Sequence, residues 1–478
     1  MSETDCVTPP LCVDLDGTLS RTDLTAESLL ALGKHHPLRL LGLTRELARG
    51  RAACKLALAR LSCCDPATLP YNEAVLDLVR TARAEGRRTV LVSASPRPWV
   101  DAVASYLGLF DEVLATDNPA INLSGQAKAA RLVALYGERA FDYAGNARAD
   151  LPVWRRARKT IVVTPEHGVL ARARSQGEVA AVYDDRPARS WTWLRATRIH
   201  QWAKNLLVFV PLLAAHAWDR QTAVTQACLA FLIFGLAASS VYLLNDLLDL
   251  DADRRHPRKK LRPFAAGLLP LPQGVLGTAA LFVAALVLAA FLPLTFRAAL
   301  AAYLGITLAY TFYLKQLVLV DILILAGLYT VRLVAGAEAI EVPLSFWLLA
   351  LSFFLFMSLA LVKRYTELLV QRDSGSLTVH GRGYQVRDFP LLQTMGMVSG
   401  QISVLVLALY INSESGRVLY RHIEYLWFLC VLLLFWVNRV WLLAHRGEMH
   451  DDPLVFALKD RVSRAIAVVA SLAVWLAR

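Results

Sequence analysis

The hydrophobic pattern changes character near residue 190. Before it, short β-rich apolar runs alternate with stretches of helical periodicity. That alternation predicts a parallel sheet flanked by helices. Strands are expected at 11–14, 89–93, 112–115, 141–144, 160–163 and 180–183. Between the first two lies a helical stretch from about residue 25 to 60, too long for an ordinary βα connection. It reads as an inserted cap, about residues 20–75. The segment DDRPARS, 184–190, reads as a linker, so the chain is expected to divide into a domain at 1–185 and another at 186–478.

After the linker the pattern becomes long apolar runs. Nine are counted, at 203–218, 224–245, 274–294, 298–314, 318–337, 345–362, 391–411, 425–443 and 462–477. Several fall short of the ~20 residues a full crossing needs, the first and last among them. The expected architecture is an α/β domain followed by an all-α polytopic membrane domain of nine spans. Composition supports this: 56% of residues are apolar and the mean hydropathy is +0.43, above the roughly 45–50% apolar content of soluble domains.

Charge is divided in the same way. Residues 1–190 hold 25 Lys/Arg against 22 Asp/Glu, and residues 191–478 hold 26 against 17. With the N-terminus inside, seventeen Lys/Arg fall in the cytosolic loops. Only Arg220, Arg297, Arg417 and Arg421 fall in the opposite ones, as the positive-inside rule requires. A pI near 9.5 therefore reflects loops beside a bilayer, and no nucleic-acid partner is expected. Seven cysteines without CxxC spacing indicate neither a zinc site nor a disulfide framework. The opening MSETDCVTPP lacks the basic and apolar regions of a signal peptide. The first domain is expected in the cytosol, on an inner (cytoplasmic) membrane protein.

The first strand runs into Asp14-Leu15-Asp16-Gly17-Thr18-Leu19. Two carboxylates two residues apart can divide labour: one attacks phosphorus, the other protonates the leaving oxygen. Ser93 ends the next strand, Lys128 supplies a cation, and Asn146 to Asp150 bring a late carboxylate after a fourth strand. This order resembles the haloacid dehalogenase superfamily of phosphatases over roughly residues 8–185. The resemblance implies a Rossmann-like domain with a helical cap. It makes Asp14 the nucleophile and Asp16 the general acid/base, and puts Ser93 and Lys128 on the phosphoryl oxygens. Mg²⁺ would be held among Asp14, Asp16, Asn146 and Asp150. One departure stands out: Asn146 occupies a place where that superfamily usually has Asp. An amide oxygen can ligate a hard cation but brings no charge.

The second apolar run ends in Asn245-Asp246-Leu247-Leu248-Asp249-Leu250-Asp251-Ala252-Asp253. If helix continues, Asp246, Asp249 and Asp253 share one face, with Asn245 one step round. Carboxylates at the end of a span are costly unless they bind cations. With the basic run 254–262 following, metal and cations together would cradle a pyrophosphate.

Nine spans with NDxxDxxxD resemble the UbiA superfamily of intramembrane prenyltransferases, over roughly residues 192–478. The superfamily's second acidic motif follows the sixth span. Here that place reads Lys363-Arg364-Tyr365-Thr366-Glu367-Leu368, one acid and two cations. Arg and Lys there favour direct phosphate contact. The segments IHQWAKNLLVFVPLL, AYTFYLKQLVLVDILILAGLYTVRLVAGA, SLALVKRYTEL and GRGY narrow the resemblance to the decaprenyl-phosphate phosphoribosyltransferases. That branch implies a polyprenyl phosphate acceptor and phosphoribosyl pyrophosphate (PRPP) as donor. Mg²⁺ on Asn245, Asp246, Asp249 and Asp253 would neutralise the leaving pyrophosphate, with Asp249 central. Lys204, Arg262, Lys315, Lys363 and Arg364 are candidates for the ribose 5-phosphate or the acceptor phosphate, with Glu367 beside them. Asp321 would bond a ribose hydroxyl or neutralise Lys315. The attached phosphatase would then remove the 5-phosphate from the lipid-linked product. Two other readings compete: an aromatic or quinone prenyltransferase with an unrelated phosphatase, and a non-catalytic regulatory N-terminal module.

Overall fold

A computed structural model describes residues 8–62, 65–164, 166–373, 383–414, 420–449 and 452–477. Arg382 and Arg417, two of the loop cations counted above, and part of the GRGY segment lie outside the described residues. Two compact units emerge. One comprises Met1–Thr197 with Tyr242–Thr278, the other Arg198–Val241 with Ala279–Arg478.

The first unit is built on a parallel six-stranded sheet of order β3-β2-β1-β4-β5-β6. Its strands are β1 (Leu11–Asp14), β2 (Thr89–Pro96), β3 (Glu112–Thr116), β4 (Asp142–Gly145), β5 (Lys159–Val163) and β6 (Val179–Tyr183). The inner strands were legible as short apolar runs because both faces are covered. Leu11, Val13 and Leu91 pack into one core, while Cys12, Val90 and Val92 pack into the other. Strand β2 runs three residues beyond its expected end, and its register against β3 shifts between Val92 and Pro96. Such an irregularity re-aims side chains at a strand end.

Three helices, α1 (Leu24–His35), α2 (Arg39–Ala48) and α3 (Arg51–Leu61), form the inserted cap. Helix α4 (Glu73–Ala84) then lays Val75, Leu76 and Val79 into the core that lines one sheet face. The order of strands reverses between β1 and β4, and ligands of such sheets bind at that switch point, beyond the strands' carboxyl ends. Asp14 ends β1, and Gly145 ends β4 next to Asn146.

Among the described residues, seven helices are long and apolar enough to cross a membrane. They are Gln221–Leu248, Leu271–Ala289, Leu294–Phe312, Val320–Ala339, Phe346–Val370, Val386–Asn412 and Ile423–His445. The chain is an integral membrane protein. The first of the nine expected spans, 203–218, is a 3₁₀ run, Ile199–Phe209, followed by the short helix Val210–Ala214. Buried polar partners explain the interruption: Asn205 accepts from Arg332, and Trp202 donates to Ser239. The last, Arg461–Ala477, is a helix of 17 residues. Within the second unit, Phe234, Phe296 and Tyr303 anchor one apolar cluster, and Tyr329, Tyr365 and Trp441 another.

Candidate active sites

In the first unit, Asp14, Asp16, Lys128, Asn146 and Asp150 line one cavity of about 940 Å³. The turn after β1 brings the two aspartates together. Gly17 adopts φ +78°, and a side chain there would collide with Asn146. Thr18 Oγ1 donates to Asn146 Oδ1 at 3.3 Å. The Asn in place of the expected Asp is therefore packed against the nucleophile turn.

Lys128 Nζ lies 2.6 Å from Asp14 Oδ1 and 3.7 Å from Asp150 Oδ1, and donates to the Tyr143 hydroxyl at 2.9 Å. Asp150 accepts from the Asn146 and Ala147 amides, both at 3.0 Å, and from Tyr143 at 2.8 Å. Its carboxylate thereby holds the loop that presents Asn146. Asp16 accepts from the Leu24 amide at 2.9 Å and from the hydroxyls of Ser93 (3.0 Å) and Ser95 (2.7 Å). Ser93 is fully buried and turned onto Asp16.

Burial dominates the electrostatics. It pushes the Asp14 carboxyl up to about 7, with Asp150 and Asp16 adding to the rise and Lys128 opposing it. Asp16 is raised as well, chiefly by burial. Burial alone would lower Lys128, but Asp14 and Asp150 more than reverse this, and it stays charged. Two neighbouring carboxyls raised by burial, one of them beside a lysine, suit the division into acid and nucleophile that phosphoester cleavage needs.

The same unit contains the acidic segment 245–253. Helix Gln221–Leu248 ends just before Asp249, whose φ of −107° and ψ of 20° break the run before a new helix, Leu250–Arg255. The expected single carboxylate face is thus divided. Asp246 and Asp253, both buried, meet Nη1 of Arg262 at 3.2 and 2.6 Å. Asp249 turns to the cap, where Lys34 Nζ lies 3.1 Å from its Oδ1 and 2.6 Å from the Leu248 carbonyl. Arg254 pairs with Glu27 of α1.

The second unit gathers the remaining candidates into two clusters. Lys204 and Lys363 converge on Asp452, at 2.8 and 3.3 Å. Arg364 is buried, donating through Nε to Asp321 (2.6 Å), through Nη1 to Glu367 (2.6 Å) and through Nη2 to the Tyr310 hydroxyl (2.9 Å). Tyr384 donates to the other Asp321 oxygen at 2.6 Å. Asp321 therefore meets Arg364, not Lys315, which sits half-buried in a 3₁₀ turn, Leu314–Gln316.

A family model for the UbiA prenyltransferase family matches residues 206–459, more than half of the chain. The chain belongs to the UbiA prenyltransferase family. A haloacid dehalogenase-like hydrolase model matches residues 11–155 of this UbiA-family chain. The uncharacterized protein y4nM of Sinorhizobium fredii is 38% identical over 465 residues, covering 97% of this chain and 90% of that one. Nodulation protein NoeC of Azorhizobium caulinodans is 35% identical over 271 residues, 56% of this chain and 87% of its own length. A decaprenyl-phosphate phosphoribosyltransferase of Mycolicibacterium smegmatis is 31% identical over 275 residues, 56% of this chain and 86% of its own.

Among the described residues, no three carboxylate, imidazole or thiol side chains are already grouped around a point where an ion would sit. The donor chemistry is nonetheless that of a hard divalent cation: Asp14, Asp16 and Asn146 line one cavity with oxygen donors only. Carboxylates 246, 249 and 253 are already turned toward cationic side chains.

Sequence reasoning missed four groups. Ser95 is two residues past an expected strand end. Lys55 of α3 lines the hydrolase cavity and donates to the Ala94 carbonyl at 3.1 Å. Asp452 stood in an unremarked Asp-Pro step. Arg332, buried on Asn205, Leu328 and Tyr303, had a signal available, since an ionisable residue inside a span is a functional candidate by default.

Proposed function

We propose that this protein transfers 5-phosphoribose from PRPP to a polyprenyl phosphate such as decaprenyl phosphate, and that its hydrolase domain then removes the 5-phosphate from the lipid-linked product. The observation that carries the transferase reading is the convergence of Lys204 and Lys363 on the single carboxylate of Asp452. Two cations against one carboxylate leave a positive site suited to a substrate phosphate. The relatives named decaprenyl-phosphate phosphoribosyltransferase support the same choice of substrates.

In this reading Lys204 and Lys363 hold a substrate phosphate, and Lys315 and Arg262 assist at the two phosphate groups. Asp321 and Glu367 hold Arg364 in place. Asn245, Asp246, Asp249 and Asp253 would hold Mg²⁺, which supplies neutralisation of the pyrophosphate charge. An oxygen of the lipid phosphate bonds to the anomeric carbon as the bond to pyrophosphate breaks, the electron pair leaving with pyrophosphate. In the hydrolase, Asp14 attacks the 5-phosphate as the bond from phosphorus to the ribose oxygen breaks, Asp16 gives a proton to that departing oxygen, and Lys128 steadies the phosphoryl charge; water, losing a proton to Asp16, then cleaves the aspartyl phosphate and releases inorganic phosphate. Asn146 and Asp14 would hold a second Mg²⁺, with Asp150 fixing the Asn146 loop. The excess of Lys and Arg in alternate loops supports a cytoplasmic-membrane location with the N-terminal domain inside.

The test supplies purified protein with Mg²⁺, labelled PRPP and polyprenyl phosphate. Labelled lipid should form in wild type and be lost in Asp249→Ala. No labelled lipid from wild type, or undiminished transfer by the variant, would overturn the assignment.

A further inference from the structure

The hydrolase cavity, about 940 Å³, lies near the upper end of the ~300–1,000 Å³ usual for small-molecule pockets. Asp14, Asp16 and Lys128 account for a phosphate and its leaving oxygen. Seven consecutive residues outside the hydrolase sheet and cap, 267–273 (GLLPLPQ), also line the cavity. They fall inside the stretch matched by the UbiA model, not the hydrolase model. Five in a row are apolar, and Leu268, Pro270 and Pro272 keep surface exposed.

The run is held at both ends. Gly267, at φ +67°, packs against Arg21 so closely that a side chain there would strike it. Gln273 accepts from Arg189 Nη2 at 2.7 Å. A sugar phosphate free in water has no apolar surface to offer such a wall. The wall also leads into a helix long and apolar enough to cross a membrane: Leu271, Pro272 and Gln273 are the first turn of the candidate span Leu271–Ala289. A span's first turn lies at the membrane–water interface.

We infer that residues 267–273 are the lipid-side wall of the hydrolase pocket, and that the hydrolase takes a phosphomonoester carried on an isoprenoid chain. The phosphate meets Asp14 while the first part of the chain lies along Leu268, Pro270 and Pro272. This rests on the hydrolase reading of Asp14 proposed above and is independent of phosphoribosyl transfer. Specificity is then set by a segment of the membrane transferase sequence and not by the hydrolase domain alone.

The experiment needs no transferase activity. Full-length protein in detergent with Mg²⁺ is given methyl riboside 5-phosphate or farnesyl riboside 5-phosphate in mixed micelles, and phosphate release is followed. Wild type should favour the farnesyl compound in kcat/KM by at least about tenfold, the gain from burying roughly two methylenes. Leu268→Asp should remove most of that preference, and Leu268→Met should keep it. Because the readout is a ratio from one preparation, altered yield does not affect it. If Leu268→Asp fails to fold, Pro270→Ser decides. Equal wild-type rates on the two compounds, or a preference untouched by the variants, would overturn the inference while leaving the hydrolase assignment intact. Hydrolysis of neither compound would overturn both.

Discussion

Lys34, at the end of cap helix α1, places its ammonium 3.1 Å from the carboxylate of Asp249 in the acidic segment. The same helix begins at the hydrolase site, where the Leu24 amide donates to Asp16. One twelve-residue helix thus touches the general acid of the proposed hydrolase and the central acid of the proposed diphosphate site. Glu27, between them on α1, adds its pair with Arg254. The hydrolase cap is tied to the segment expected to carry the transferase metal.

If Asp249 holds Mg²⁺ as proposed, the cation already on it would compete with the metal. Both partners are about one-third exposed, so the pair contributes only ~0.2–1 kcal/mol. Lys34→Met should lower the Mg²⁺ concentration for half-maximal transfer by roughly two- to fivefold, as read from a Mg²⁺ titration of labelled-lipid formation. An unchanged or raised requirement would remove Lys34 from competition with the metal.

As the proposed nucleophile, Asp14 would have to be ionised to attack phosphorus, and burial raises its carboxyl to about 7. Hydrolase kcat/KM on a small phosphoester should therefore rise with pH through about 7 and be low at acidic pH. Lys128 opposes the rise, so Lys128→Met should move this limb upward by about one unit or more. A limb that stays in place in Lys128→Met would detach the lysine from Asp14. Loss of activity at every pH would leave the wild-type profile as the measure.

Arg364 was expected to bind phosphate, yet its donors are taken by Asp321, Glu367 and Tyr310. Arg364→Ala would take the guanidinium from the fully buried Asp321 carboxylate, leaving the Tyr384 hydroxyl on it. Breaking a buried pair from one side costs ~3–5 kcal/mol, so thermal unfolding in detergent should shift downward markedly. Asp321→Asn added to Arg364→Ala should recover part of the loss, as coupled partners do. A stable Arg364→Ala with only a raised KM for PRPP would restore the phosphate-binding role.

How legible the chain was depended on the range of the interaction. The inner strands were readable because buried parallel strands announce themselves as apolar runs, and Asp14 and Asp16 because they sit two residues apart at one strand end. The break at Asp249 was only partly readable: clustered Asp residues at a helix C-terminus weaken helix, but nothing local fixes the break at Asp249. The pull of Lys34, 215 positions away, is tertiary. Asp452 was invisible for the same reason, since its partner Lys204 lies 248 residues earlier. The interrupted first span could be suspected from its length and from Lys204, Asn205 and Pro211, but the use of Asn205 by Arg332 required the fold.

Asp14→Asn tests whether the two chemistries act in sequence. The change removes the proposed nucleophile with almost no change in volume, and Lys128 keeps Asp150 at 3.7 Å as a charged neighbour, so the hydrolase fold should survive. If the hydrolase consumes the transferase product, this variant should accumulate lipid-linked ribose 5-phosphate, where wild type releases inorganic phosphate and leaves lipid-linked ribose. Fusion in one chain would raise the effective concentration of hydrolase for a product made by the same molecule. Dilution should therefore leave the ratio of the two lipids in wild type unchanged, whereas a separately expressed hydrolase would lose efficiency as it is diluted. Chromatography of the labelled lipids from both proteins, with a phosphatase-free control, makes the comparison. Identical lipid products from wild type and Asp14→Asn would sever the two activities and leave the hydrolase with some other lipid-borne phosphate.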